Sequence, residues 1–190
     1  MDKNKAIQVV DEIFSLYEKF GKEDYIGEPV SQIEHMCQAA QLAEAEGFDD
    51  EVILAAFFHD IGHLLEHLMP VKHMDAYGVA DHELIAGEYL RNKGFSEKIA
   101  RLAESHVAAK RYLTFKDPEY YHKLSPASKM TLDKQGGVMD ETEAGLFETD
   151  HLHRLFIQIR EWDDKAKMIN VPVPDLSKYK QMALRHLTSV

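Results

Sequence analysis

Six side chains of metal-ligating type lie along this chain in the order His35, His59, Asp60, His82, His106 and Asp163. Imidazole and carboxylate without thiolate suit iron, manganese or zinc, and the donor set alone does not choose among them. The adjacent pair His59-Asp60 is the most informative. Neighbouring residues on a helix project about 100° apart, so one can complete the shell of one ion while the next leans toward another. An aspartate there can bridge two ions with its two oxygens. The pattern reads as a two-metal centre.

Helical period shows which company each candidate keeps. His35 shares a stripe with Met36, Ala39 and Leu42, and His82 with Ile85, Ala86 and Tyr89. His106 sits with Ile99, Leu102, Ala103 and Ala109, and Asp163 with Leu152, Phe156 and Ile159. His59 and Asp60 are expected to end the most apolar helix of the chain. Ionisable groups from five helices therefore point toward the core. A lone buried carboxylate costs several kcal/mol unless paired or coordinated. A single core histidine is normally just hydrogen-bonded, but Asp60 and Asp163 would then each need a salt bridge of its own. One shared cation site explains all five placements. His67, His73, His122, His151, His153 and His186 lack such company and read as solvated or capping residues. His59 and His63 also stand at i and i+4, as in zinc sites of the HExxH type. The residue directly after the first histidine is here Asp, which suits bridging better than general-base work.

The elements that must position these groups are helices joined by punctuated loops. Ile7, Val10, Phe14, Tyr17 and Phe20 repeat at helical spacing until Gly21. A loop over 24–29 precedes a helix from near Val30 to Gly47. Asp49-Asp50-Glu51 places negative charge at the start of the next helix, where the dipole favours it. That helix is apolar all round from Val52 to Phe58, so it is central, and Gly62 is expected to end it. The stretch 64–78 lacks periodicity, contains Pro70 and reads as a loop over the site. Helices are predicted over 81–93, 96–113, 125–135, 140–148 and 150–167, with Val171-Pro172-Val173-Pro174 as an extended connector. A last helix runs from Asp175 with Leu176, Tyr179, Ala183 and Leu187 as its buried stripe. No repeat, low-complexity tract or strand-like alternation interrupts this reading. The expected fold class is all-α, a helical bundle around a dinuclear metal site, in one domain over residues 1–190.

Composition bounds the partners. An apolar content of 45% with 29% charged residues is that of a soluble globular chain. No apolar run approaches the length that spans a bilayer. The start, Met1-Asp2-Lys3-Asn4-Lys5, leads into an amphipathic stretch rather than a secretory signal. The one cysteine, Cys37, excludes an intrachain disulfide and fits a reducing compartment, so a cytoplasmic location is expected. Net charge is 22 − 33 = −11, which disfavours nucleic acid and anionic membranes as partners. Metal ions reverse that argument locally, because bulk charge beyond roughly 8 Å is screened at physiological salt.

The order His…His-Asp…His…His…Asp resembles the HD-domain superfamily, in the subset that binds two metals. Further segments narrow the resemblance: Asp24-Tyr25-Ile26-Gly27-Glu28, His59-Asp60-Ile61-Gly62-His63, Tyr77-Gly78-Val79, Gly94-Phe95-Ser96-Glu97, Gln135-Gly136-Gly137 and Ile159-Arg160-Glu161-Trp162-Asp163. The run His106-Val107-Ala108-Ala109-Lys110-Arg111-Tyr112-Leu113 is the most specific. Together they are similar to the mixed-valence diiron oxygenases that cleave the carbon–phosphorus bond of hydroxyphosphonates, from about residue 7 to the C-terminus.

The resemblance implies two irons in an Fe(II)/Fe(III) state. One would take His35, His59, Asp60 and Asp163, and the other Asp60, His82 and His106. The substrate, a 1-hydroxy-2-(amino or trimethylammonio)ethylphosphonate, would chelate one iron, and O2 would be the second reactant. The products would be phosphate and glycine or glycine betaine. His63, Lys110, Ser128, Thr131 and Arg160 match positions around the phosphonate. Lys110 lies one turn after His106 and Arg160 one turn before Asp163, so both can face the metals. Without the resemblance they would read as solvated surface cations. Tyr25 and Glu28 match a loop in which tyrosine guards an iron position until substrate displaces it. Their plainer reading is an ordinary turn before Pro29.

The chain also departs from the pattern. The stretch between Asp60 and His82 is longer, with His67, Met69, Pro70 and His73. Ala80 stands where a large aromatic is expected, which would enlarge the pocket at the amine end. Cationic methyl groups would want aromatic faces or carboxylates, and Tyr25, Glu28 and Tyr77 could supply them. Two other functions share the ligands: a metal-dependent phosphohydrolase of nucleotides or phosphoesters, and a non-catalytic scaffold. The first lacks a base- or ribose-reading segment, and the second has no reason to keep all six ligands.

Overall fold

Helix starts follow the capping chemistry written in the chain. The computed structural model describes residues 1–25, 27–74 and 78–189, and Ile26 and Tyr77 of the matched segments lie outside them. Helix α1 (Lys3–Phe20) begins where Asp2 accepts from the Lys5 N–H. Helix α2 (Gln32–Ala45) carries a reciprocal capping box between Ser31 and Glu34. Helix α3 (Asp50–Phe58) is capped by Asp49 and is buried from Val52 onward. A short α4 (Ile61–Leu64) runs into a 3₁₀ turn (Leu65–His67). Then come α5 (His82–Asn92), α6 (Glu97–Lys116), α7 (Pro118–Lys123), α8 (Pro126–Lys134), α9 (Glu141–Thr149), α10 (His153–Lys165) and α11 (Ser177–Ser189). Among the described residues the only β pairings are single bridges, Asp24 to Ser31 and His73 to Val79. The fold is all-α, as the periodicity indicates. Among the described residues no helix is long and apolar enough to cross a membrane.

Helix α6 is the spine, packed against α5, α10 and α3, while α2 packs against α3 and α10 and α11 closes over α1. Phe14, Tyr17, Phe57 and Tyr179 interlock at the centre, with ring centroids 4.7 Å apart for both Tyr17–Phe57 and Phe57–Tyr179. Each such buried aromatic contributes roughly 1.5–3 kcal/mol by leaving water. At the other end Trp162 is fully buried and its indole N–H donates to Glu46 Oε1 at 3.0 Å.

Three details differ from the sequence expectation. His59 caps the C-terminal end of α3 as expected, but Asp60, at φ −106°, has left helical geometry and opens the turn into α4. A turn lets adjacent side chains diverge further than a helix would. Gly62 is not a stop signal either, since it lies inside α4. A Cβ on it would fall 1.9 Å from the carbonyl oxygen of His82, so only glycine lets α4 meet the start of α5. Helix α7 was not anticipated, although Asp117 capping Glu119 with Pro118 in the first turn is its start signal. The stretch 64–78 has the 3₁₀ turn and the His73–Val79 bridge in its described part.

Gly62→Ala is therefore expected to push the first turn of α5 away from the His59-Asp60 turn. Overpacking of this kind costs about 1–3 kcal/mol. Thermal unfolding should show the loss, and metal content should fall with it. An unchanged midpoint with full metal binding would mean that the contact relaxes freely.

Candidate metal centre and cavity

Five elements deliver the six candidates. Helix α2 brings His35, the α3–α4 turn His59 and Asp60, the first residue of α5 His82, α6 His106 and α10 Asp163. All are buried. The entry to α5 is made by Asp81 in the left-handed region at φ 55° and ψ 28°. A non-glycine residue there costs on the order of 1–3 kcal/mol, and aspartate bears it better than most. The kink sets His82 facing Asp60.

The imidazoles share one arrangement. The Nδ1–H of each donates to a backbone carbonyl: His35 to Ala166 at 2.9 Å, His59 to Ala56 at 2.8 Å, His82 to Val79 at 3.2 Å and His106 to Ala103 at 3.2 Å. That fixes the tautomer and aims every Nε2 lone pair inward. The Nε2 atoms then face each other in pairs, 3.1 Å apart for His35 and His59 and 2.9 Å for His82 and His106. Lone pairs so close repel unless a cation lies between them.

Asp60 completes the pattern. Its Oδ2 is 3.4 Å from Nε2 of both His35 and His59, and its Oδ1 is 3.4 Å from Nε2 of both His82 and His106. Asp163 Oδ1 lies 3.4 Å from His35 Nε2. Ligand bonds of about 2.0–2.2 Å separate neighbouring donor atoms on one ion by roughly 3.0–3.5 Å. The observed separations fit. Both oxygens of Asp60 and Oδ1 of Asp163 are buried without a hydrogen-bond partner, a situation that buried carboxylates do not tolerate without a cation. His35, His59 and Asp163 form one group that could hold a metal ion, and Asp60, His82 and His106 form a second. The sets that the resemblance implies count Asp60 in both groups; here its two oxygens face the two imidazole pairs.

Charge agrees. Burial alone would raise the pKa of Asp60, but His59, His35 and His82 hold it well below the usual carboxylate range. Asp163 is held low in the same way by Arg160 and His35 against its burial. Burial opposes a charge on His35, yet the two carboxylates pull its pKa up to about 9. Asp60, with Glu83, raises His82 in the same way against its burial. Two buried carboxylates demand positive charge, supplied by protons or by metal ions.

His63 stands apart from both groups despite its i+4 spacing from His59. Its ring stacks on His82 at 4.1 Å between centroids, and its Nδ1 accepts from the Val79 N–H at 3.4 Å. Burial, with His82 beside it, drives its pKa down to about 3, so it is neutral.

The two groups open onto a cavity that His82, His106 and Asp163 help to line. Tyr25, Glu28, His63, Lys110, Ser128, Thr131 and Arg160, the remaining sequence candidates, all line the same cavity. Lys110 and Arg160 are only 2% and 3% exposed, which rules out the solvated-cation reading. Lys110 Nζ donates to Thr131 Oγ1 at 2.9 Å and to Gln135 Oε1. Burial, with Arg160 nearby, lowers its pKa to about 7. Arg160 donates to Asp163 Oδ2 at 2.6 Å, Tyr120 Oη at 2.9 Å, Ser128 Oγ at 3.3 Å and both oxygens of Asp164. The Tyr25 ring stacks on His35 at 4.1 Å and 13°. Burial and the carboxylates of Asp60 and Asp163 raise its pKa well above 10, so it is a neutral phenol here. Glu28 Oε1 accepts from Ser125 Oγ at 2.5 Å and from Lys167 Nζ at 2.9 Å.

Sequence reasoning missed Lys167, Gln135 and Gln32 in the cavity wall, and Tyr120 and Asp164 behind Arg160. Gln135 sits in a recognisable segment, but its partner Lys110 is 25 residues away. Ala80 is not among the described lining residues; its N–H donates to the Lys72 carbonyl at 2.8 Å. Of the other histidines, His67 stacks on Phe20 and pairs with Glu23, while His186 accepts the Ser96 N–H at 3.1 Å at the start of α6.

A family model described as the HD domain matches residues 32–154. An uncharacterised protein of Acanthamoeba polyphaga mimivirus is 44% identical over 184 residues, covering 97% of this chain and 84% of the relative. A protein of Leisingera caerulea named [1-hydroxy-2-(trimethylamino)ethyl]phosphonate dioxygenase (glycine-betaine-forming) is 37% identical over 177 residues, covering 93% and 89%. A hydroxymethylphosphonate dioxygenase of Gimesia maris is 35% identical over 170 residues, covering 90% and 84%.

Proposed function

The chain belongs to the HD-domain family, and from that premise we propose that it is a phosphonate dioxygenase, cleaving the C–P bond of a 1-hydroxyphosphonate with O2 at a diiron centre. One observation carries the reading. Two His/Asp groups sharing Asp60 open onto the same cavity as the buried cations Lys110 and Arg160. In a chain of net charge −11, two desolvated cations beside paired metal-binding groups are suited to a phosphonate held against metal. The names of the Leisingera caerulea and Gimesia maris relatives share the hydroxyphosphonate and differ in its substituent.

His35, His59, Asp60 and Asp163 would hold one iron, and Asp60, His82 and His106 the other. The Fe(II)/Fe(III) pair would supply O2 activation and removal of the C1 hydrogen. Neither ligand set fills a coordination sphere, so positions remain open toward the cavity. Lys110, Ser128, Thr131 and Arg160 bind the phosphonate oxygens, Lys110 as a point charge and Arg160 as a buried guanidinium fixed by its bonds to Asp163 and Ser128. Neutral His63 supports this end as an uncharged hydrogen-bonding ring. Tyr25, stacked over His35, covers the approach to the first group, and Glu28 anchors the same loop through Ser125. A 2-amino or 2-trimethylammonio substituent would yield glycine or glycine betaine with phosphate. C1 is oxidised to a carboxylate as the C–P bond breaks, and O2 takes up the four electrons, so no outside reductant is needed.

Iron-loaded protein should consume one O2 for each phosphate released from a 1-hydroxyphosphonate. Phosphoester hydrolysis with zinc or manganese and no O2 uptake would replace this reading by the hydrolase. Lys110 adds a pH test. It is charged below its pKa of about 7, so kcat/KM should decline as pH rises above that value. Lys110→Arg should remove the decline. Lys110→Met should keep its metals and lose roughly tenfold to a hundredfold in kcat/KM, the worth of one charge-assisted hydrogen bond.

A further inference from the structure

Lys167 is the cavity's third cation, and its place is built rather than incidental. It follows Ala166, whose carbonyl takes the Nδ1–H of His35. It precedes Met168, which Gln38 grips through both its backbone N–H and its carbonyl, at 3.0 and 2.9 Å. Two residues of α2 thus pin the segment that carries it. The side chain reaches into the cavity, where Nζ lies 2.9 Å from Glu28 Oε1 and 5.9 Å from the Tyr25 ring centroid. The Lys167 and Glu28 side chains are only 14% and 9% exposed.

That contact occupies what a cationic substituent would seek. A substrate ammonium group needs a carboxylate or an open aromatic face. Two carboxylates line the cavity among the described residues. Asp163 is bonded to Arg160 and lies against His35, and Glu28 is held by Lys167 and Ser125. Of the two faces of Tyr25, one is stacked on His35 and the ammonium of Lys167 lies near the ring as well. A substrate ammonium entering there would meet Lys167 in a partly desolvated site, where like charges repel strongly.

We propose that Lys167, held by Glu28, sets substrate specificity: the cavity prefers 1-hydroxyphosphonates whose substituent on C1 is uncharged or anionic over those carrying an ammonium group. This rests on the phosphonate dioxygenase reading. Lys167 acts through Glu28 and Tyr25, the carboxylate and the ring that a cationic substituent would seek.

The test compares hydroxymethylphosphonate, 1-hydroxy-2-aminoethylphosphonate and its N-trimethyl analogue as substrates of the iron-loaded protein. Their binding without turnover is followed by anaerobic calorimetry. The wild type should favour hydroxymethylphosphonate by at least about tenfold in both kcat/KM and affinity. Lys167→Met keeps the aliphatic stem but frees Glu28 and Tyr25, and it should shift the ratio toward the ammonium substrates by about tenfold or more. Lys167→Arg should restore the wild-type order. A wild type that prefers either ammonium substrate overturns the inference. So does a Lys167→Met variant that loses all three substrates equally. Either result leaves the dioxygenase reading standing. If none of the three is consumed or bound with both irons in place, that reading fails and the inference with it.

Discussion

Asp60→Ala is expected to lose both metal ions. Its Oδ2 serves the His35–His59 pair and its Oδ1 the His82–His106 pair, at 3.4 Å in each case. Removing one side chain therefore takes a ligand atom and a balancing negative charge from both groups at once. Disturbing even the partners behind a metal ligand costs 10- to 100-fold in affinity. Losing a bridging anion should exceed that at both positions, leaving below roughly a tenth of the wild-type metal content. The fold should survive, because the variant also removes a buried charge with two orphan oxygens. Metal analysis together with circular dichroism separates the two effects. A folded Asp60→Ala protein with its full metal complement would show that the two groups do not depend on a shared bridge.

Arg160→Ala is expected to be nearly as damaging, and by two routes. Arg160 is 3% exposed and is bonded to Asp163, Asp164, Tyr120 and Ser128. Deleting one partner of a buried ion pair costs about 3–5 kcal/mol, because the other charge stays buried. The unfolding midpoint should drop steeply. Asp163 would also lose the guanidinium that orients its ligand oxygen, so the His35–His59–Asp163 group should weaken first. At the temperature where the variant remains folded, kcat/KM for a hydroxyphosphonate should fall by more than Lys110→Met lowers it. Arg160→Lys should rescue little, since an ammonium cannot span Asp163, Asp164 and Ser128 as a planar fork does. A stable Arg160→Ala protein with unaltered KM would exclude both roles.

The helices were legible because apolar residues repeat at helical spacing and their starts carry Ser or Asp caps, as at Ser31, Asp49, Ser96 and Asp140. The six candidate ligands were legible for a related reason: ionisable residues on apolar stripes must meet a common partner. Gly62 was misread because a glycine at a close approach of two backbones looks, in sequence, like one at a helix end. The consequence of the His59-Asp60 turn was also hidden, since helix periodicity does not report where hydrogen bonding stops. Helix α7 fell between two stronger signals, its six residues too short for a periodic pattern. Lys167 was invisible because its meaning depends on Glu28, 139 residues earlier. Neither the inward aim of all four Nε2 atoms nor the neutrality of His63 follows from residue type. Both come from tertiary contacts, with backbone carbonyls in one case and with burial against His82 in the other.

The most direct test is metal analysis of the purified protein joined to low-temperature electron paramagnetic resonance. The account predicts two irons per chain and the signal of a coupled Fe(II)/Fe(III) pair, changed on adding a 1-hydroxyphosphonate. One metal per chain, or two zinc ions with no response to the hydroxyphosphonate, would contradict it.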